Sequence, residues 1–164
     1  MKELLVIRHG KSSRDDPSLD DHERPLERRG REDAPGMGRR LQARGAVPER
    51  IVTSDAVRAR DTAAGVAAGA GLDVDAVLPE PRLYTGSADD VLAVVRRLEA
   101  GLERVAVVGH NPALHDFLHT VSDLRVRKFP TAAVAHVRFP VAQWREVGPG
   151  TGEVVDYDYP KSGR

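Results

Sequence analysis

Leu4-Leu5-Val6-Ile7-Arg8-His9-Gly10 decides how the rest of the chain is read. Four apolar residues in a row, two of them β-branched, predict a short strand buried on both faces, as in a parallel sheet. The run stops at Arg8-His9-Gly10, which places an Arg and a His where the strand's carboxyl end meets a loop. In an open α/β sheet, ligands bind outside that edge. Arginine offers a planar fork of donors suited to phosphate, and histidine can act as nucleophile or proton carrier. Gly10 permits a positive φ or the close approach of a ligand to the backbone. An ordinary solvated loop would look the same, so the tripeptide alone leaves both readings open.

A second stretch narrows the choice. Arg104-Val105-Ala106-Val107-Val108-Gly109-His110 is another apolar strand ending in Gly and His, followed by Asn111 and Pro112. Asn is a good N-cap and Pro suits the first helical position. His110 is therefore expected just before a helix N-terminus, an end that favours anions. Two strands then deliver a histidine to one edge of a sheet.

These residues resemble the histidine phosphatase superfamily, the phosphoglycerate-mutase-like phosphatases. The matching motifs are Arg8-His9-Gly10 and, about a hundred residues on, Gly109-His110-Asn111-Pro112. Between them, Ser54 to Thr62 is similar to the family's S-x-x-x-R-A-x-x-T block, with Arg58 and Ala59 in place. Asp21-x-x-Arg24-Pro25-Leu26, running on to Gly30, looks like the small SixA-like phosphohistidine phosphatase branch. The motifs fall within residues 2–125 in family order.

Length and composition set the outer bounds. The 164 residues suit one domain, 1–164, with a sizeable core. Lys plus Arg and Asp plus Glu each number 25, so no global field points to nucleic acid or an anionic membrane. The absence of cysteine excludes disulfides and thiol catalysis. No stretch has the length of a transmembrane helix and no signal-peptide pattern opens the chain, so a cytoplasmic protein is expected.

Strands alternate with helices through residue 125, which predicts an α/β class with a mostly parallel sheet. The resemblance adds a three-layer α/β/α arrangement. Polar residues 11–23 read as a loop walling the site, with Arg24 at its far end, either facing substrate or paired with Asp20 or Asp21. A helix is expected over 31–43, with Pro35 interrupting it or marking its start and Gly45 as its C-cap. A strand over 50–54 leads to a helix over 55–68. There Arg58 either binds phosphate or pairs with Asp61 three residues on. Residues 74–83 read as a broken edge strand, and Ser87 to Asp90 as a capping box with Asp in place of Glu. The helix over 112–121 carries His115 and His119, four apart. That spacing can bind a metal, but no Cys and no obvious third ligand accompanies it. Residues 131–139 read as a strand, 143–147 as its hairpin continuation, and 148–164 as one edge strand and a tail.

The resemblance implies a phosphatase that transfers a phosphoryl group to His9, the nucleophile, and then to water. Arg8, Arg58 and His110 clamp the phosphoryl oxygens; Arg24, Gly10 and Asn111 contact substrate. No metal or cofactor is required, because four protein groups supply the positive charge. Larger members of the family contribute a Glu that protonates the leaving group. Here Leu83-Tyr84-Thr85-Gly86 occupies the comparable region without a carboxylate, and Glu80 lies between two prolines. That absence fits the phosphohistidine branch, whose substrate is a phosphorylated protein. A phosphomonoesterase for small molecules and a hydrolase using a metal at His115 and His119 remain the alternatives.

Overall fold

The computed structural model describes all residues, 1–164. It forms one α/β domain around a six-stranded sheet in the order β3-β2-β4-β1-β5-β6. In chain order the first half comprises β1 (Lys2–Arg8), α1 (Arg28–Ala43), β2 (Arg50–Thr53), α2 (Val57–Ala70) and β3 (Val77–Pro79). A short α3 (Arg82–Thr85), α4 (Ala88–Arg96), β4 (Arg104–Gly109) and α5 (Ala113–Val121) follow. The chain closes with β5 (Val134–Phe139) and β6 (Glu153–Asp158). Strands β1 to β4 are mutually parallel, whereas β5 runs antiparallel to β1, and β6 antiparallel to β5.

The expected double-sided burial of β1 is explicit. Leu4 and Val6 point to one face and Leu5 and Ile7 to the other, all with no exposed surface. Leu4 and Val6 join Val105 and Val107 beneath Val91, Val95, Leu114 and Phe117 of α4 and α5. Leu5 and Ile7 join Ala106 and Val108 beneath Met37, Leu41, Ala59 and Val66 of α1 and α2. Each buried layer is a separate cluster, and the sheet divides them into the three-layer architecture.

Several boundaries differ from expectation. Helix α1 starts at Arg28 and passes through Pro35, which neither interrupts it nor marks its start. An internal proline costs a helix about 3 kcal/mol, but here α2 packs directly onto it. A Cβ on Gly69 would run into the Pro35 carbonyl, and one on Gly38 into the Val66 carbonyl, so glycines bring the two helices into backbone contact. The burial thus gained holds the helix together across the missing N–H. Residues 143–147 do not extend β5. Trp144–Glu146 form a 3₁₀ turn, with the Trp144 ring buried and its Nε1 donating to the Leu102 carbonyl at 2.8 Å. On its outer side β5 pairs instead with β6 (Glu153–Asp158), at the sheet's edge. Residues 74–83 are a 3₁₀ turn, the three-residue edge strand β3 and the start of α3. Gly45, with φ of 70°, follows α1 in the left-handed conformation expected of it, and Asp90 accepts from the Ser87 N–H at 2.9 Å in the expected cap.

Candidate active site

Strand register builds the centre of the site. Arg8 stands opposite Gly109 in the parallel ladder, so His9 and His110 leave the sheet side by side. Their ring centroids are 5.0 Å apart. The His9 N–H donates to the Gly109 carbonyl at 3.1 Å, which fixes the spacing of the two strand ends. On the far side of β4, Thr53 pairs with Val108. Ser54 therefore emerges beside His110, its hydroxyl 2.8 Å from His110 Nε2.

His9 Nδ1 lies 2.7 Å from the Gly10 carbonyl. A carbonyl only accepts, so Nδ1 carries the proton and Nε2 keeps its lone pair. Burial pushes the His9 pKa down to about 3, against the opposing Gly10 bond; His110, Arg58 and Arg8 add to the fall. Burial, then Arg58, lowers His110 to about 4, with Asp21 opposing. Both imidazoles are neutral at pH 7, and one buried and one half-buried ring facing two guanidinium groups account for it.

Arg8 donates from Nη1 to the Phe129 carbonyl at 3.2 Å, while its Nε is buried with no partner. Arg58, 7% exposed, does not pair with Asp61. It reaches across to the loop after β1, donating to the Asp21 carbonyl at 2.7 Å and the Asp21 carboxylate at 3.0 Å. That carboxylate also accepts from the Tyr84 hydroxyl at 2.7 Å and from Arg24 at 2.8 Å. The Tyr84 bond first, then Arg24 and Arg58, hold the Asp21 carboxyl far below the usual carboxylate range. Asp21 thus fastens the loop, Arg24 and Arg58 together. Thr62 ties the other side, accepting from the Gly10 N–H at 2.9 Å and donating to the Arg58 carbonyl at 2.7 Å.

These groups open on a cleft of about 540 Å³. Arg8, His9, Arg58 and His110 all line it, as do Arg24 and Asn111, and none of its thirteen lining residues is apolar. Arg24 is held on all sides, by Asp21, Ser12 and the Ser13 carbonyl. Gly10 lies behind His9 and is absent from the cleft wall. Its φ is not positive; what it permits is close packing, since a Cβ there would sit 3.1 Å from the Gly30 Cα. Asn111 does not cap α5, which begins at Ala113; its amide donates to the Phe129 carbonyl at 2.9 Å. Asn111 and Arg8 therefore brace the same carbonyl. His115 uses Nε2 on the Val126 carbonyl at 2.8 Å, and no third His, Cys, Asp or Glu joins it and His119 in a group that could hold a metal ion. Glu80 lines a different cavity, on the β3 side.

Sequence reasoning offered Asp21 only as a partner for Arg24 and left Ser54, Thr62 and Tyr84 without roles. Three of them were visible inside the motif blocks, Asp21 three residues before Arg24, and Ser54 and Thr62 flanking Arg58. Tyr84 carried no signal, since only the fold brings residue 84 to residue 21.

Residues 4–83 match the model of the histidine phosphatase superfamily, branch 1. An uncharacterized protein of Mycobacterium tuberculosis is 33% identical over 165 residues, covering 94% of this chain and 100% of that protein. The SixA structure from Nakamurella multipartitia superposes with a TM-score of 0.79 at 26% identity, over 98% of this chain and 97% of that one. A SixA structure from Agrobacterium tumefaciens gives 0.80 at 21% identity, over 97% and 98%. The fold is phosphoglycerate-mutase-like, and the class of enzyme is a phosphatase. The chain belongs to the histidine phosphatase superfamily, in its SixA-like branch.

Proposed function

We propose that this phosphatase removes the phosphoryl group from phosphohistidine on a protein, through a covalent intermediate on His9. The observation that carries the proposal is the pairing of a free nucleophile with a cationic cleft. His9 Nε2 keeps its lone pair in a cleft lined by Arg8, Arg58 and His110. A phosphoryl group suits that arrangement, since its phosphorus takes the attack of the ring nitrogen and its oxygens accept from the guanidinium groups.

In the first step His9 Nε2 attacks phosphorus, and the bond to the leaving nitrogen breaks with its electron pair. A proton taken up from solvent by that ring lets it depart as neutral imidazole. In the second step water attacks the phosphoryl group on His9, returning the electron pair to Nε2 and releasing phosphate and a proton. Arg8 and Arg58 neutralise charge on the phosphoryl oxygens in both steps. A bound dianion draws His110 towards its protonated form, against the burial that keeps it neutral beforehand. The Gly10 carbonyl holds the His9 tautomer throughout.

The choice of substrate rests on the carboxylates and on the walls. An alkoxide leaving group needs a proton delivered in the transition state, a contribution of about a hundred- to ten-thousand-fold. Asp21, the carboxylate bonded to Arg58, is held ionised by Tyr84 and two arginines and has no proton to give. Small-molecule sites are mostly apolar, whereas this cleft has no apolar lining residue. A phosphoryl group on a protein draws its affinity from the surface around it. The test compares kcat/KM for a phosphohistidine protein, p-nitrophenyl phosphate and a sugar monophosphate. The phosphohistidine protein should lead the sugar phosphate by at least about a hundredfold. Equal values would move the reading to a metabolite phosphatase, with Asp15 or Glu27 of the cleft wall as its acid.

A further inference from the structure

A second cleft of about 490 Å³ adjoins the first, and the two share Arg8, Lys11, Asn111 and Thr131 as a common wall. Its charge is one-sided. Arg8, Lys11, Arg29, Arg127 and Lys128 line it, and no Asp or Glu does. In the first cleft, by contrast, Asp15, Asp21 and Glu27 offset the cations. The chain as a whole is neutral, with 25 charges of each sign, so five cations without a carboxylate are a marked local separation. Lys11, Arg127 and Lys128 are exposed and their side chains have no ion-pair partner; Arg29 meets Asp33 only at 3.6 Å. The backbone beneath them is fixed, because the Phe129 carbonyl is held by Arg8 and Asn111, the Lys128 carbonyl by Tyr157 and the Val126 carbonyl by His115.

We infer that this second cleft receives acidic side chains on the protein substrate, next to the phosphorylated residue. The inference rests on the phosphatase reading and adds to it the charge of the partner. Exposed cations on a rim contribute little singly. As a cluster they raise the local potential, steer an acidic partner and set its register. Because the shared wall includes Arg8, a partner that fills the second cleft presents its phosphoryl group to His9. The long exposed side chains are adaptable and the lining is polar, which suits carboxylates spread over a surface better than one small ligand.

The test uses the full chain and two phosphohistidine peptides of equal length, one flanked by Glu and one by Gln. At low salt the Glu peptide should be hydrolysed with at least about tenfold higher kcat/KM, mostly through KM, and the advantage should shrink as salt is added. R127E/K128E should remove that advantage while leaving p-nitrophenyl phosphate turnover within about twofold of wild type. Binding of the same Glu peptide without phosphate, followed by fluorescence anisotropy, should weaken to a similar degree in the variant. Equal rates for the two peptides in the wild type would overturn the inference, as would an equal loss on p-nitrophenyl phosphate. A larger advantage for a sugar bisphosphate over its monophosphate than for the Glu peptide over the Gln peptide would also overturn it, by assigning the cleft to small anions. Failure to hydrolyse any of these phosphates, with anisotropy still showing charge-dependent peptide binding, would instead strike the phosphatase reading and leave the acidic-surface site standing.

Discussion

Two buried histidines on one sheet are treated in opposite ways. His136, 3% exposed, lies in β5 on the antiparallel side. Its Nε2 meets Glu3 at 2.6 Å and its Nδ1 meets Arg44 at 3.0 Å, so both ring nitrogens are occupied. His9, 7% exposed, follows β1 on the parallel side with one nitrogen on a carbonyl and the other open to the cleft. Burial depresses both pKa values. Neither burial nor a shifted pKa therefore distinguishes the ring proposed as nucleophile from the structural one. The unused atom does, together with its place at the carboxyl end of a parallel strand.

The largest effect expected from this contrast is on turnover. His9→Ala should lower kcat by about ten-thousandfold or more on any substrate, since it removes the proposed phosphoryl acceptor. His136→Ala should leave kcat/KM within about twofold, and steady-state rates on p-nitrophenyl phosphate check both. Arg58→Ala comes next, at about a hundred- to a thousandfold in kcat, the usual cost of losing a group that stabilises transition-state charge. Asp21→Asn should cost less than Arg58→Ala, because Arg58 keeps the Asp21 backbone carbonyl as an acceptor.

Stability should show the reverse pattern. His136→Ala leaves Glu3 and Arg44 without their shared partner, which should lower unfolding free energy by about 1–3 kcal/mol in urea melts. His9→Ala should destabilise less, since it removes a ring whose cleft-facing nitrogen has no protein partner. The last contrast is in the pH dependence. His9 and His110 have folded pKa values of about 3 and about 4, below the unfolded 6.5. As pH falls below about 6.5 the unfolded state takes up protons that the folded state refuses, so stability declines until the folded values are passed. His136 acts in the same direction. His22, raised mainly by Asp55, acts in the opposite one. A His9→Gln/His110→Gln variant should therefore lose less of its melting temperature between pH 7 and pH 4 than the wild type.

Much of the site was legible because it is built from strand ends. Two apolar runs, each closing on a histidine, fix the register that brings His9 to His110, and the unbroken apolar run of β1 sets it between two covered faces. Arg58 was legible as a cation at the start of a helix, but its partner was not. Periodicity offers Asp61, three residues away, while the fold supplies Asp21 from another loop. The same limit applies to Pro35, which local propensity reads as a break and glycine-mediated packing on α2 overrides. Trp144 looked like part of a hairpin, yet its size and its Nε1 donor draw it into the core beside α4. In each case contacts distant in sequence outweighed local preference.

The proposed mechanism turns on transfer of the phosphoryl group to His9. Rapid quenching during turnover of a radiolabelled phosphohistidine protein, followed by peptide mapping, tests it most directly. The label on the enzyme should be stable in base, labile in acid and located on His9, absent from His9→Ala and undiminished in His136→Ala. Label on any other residue, or turnover at the wild-type rate in His9→Ala, would contradict it.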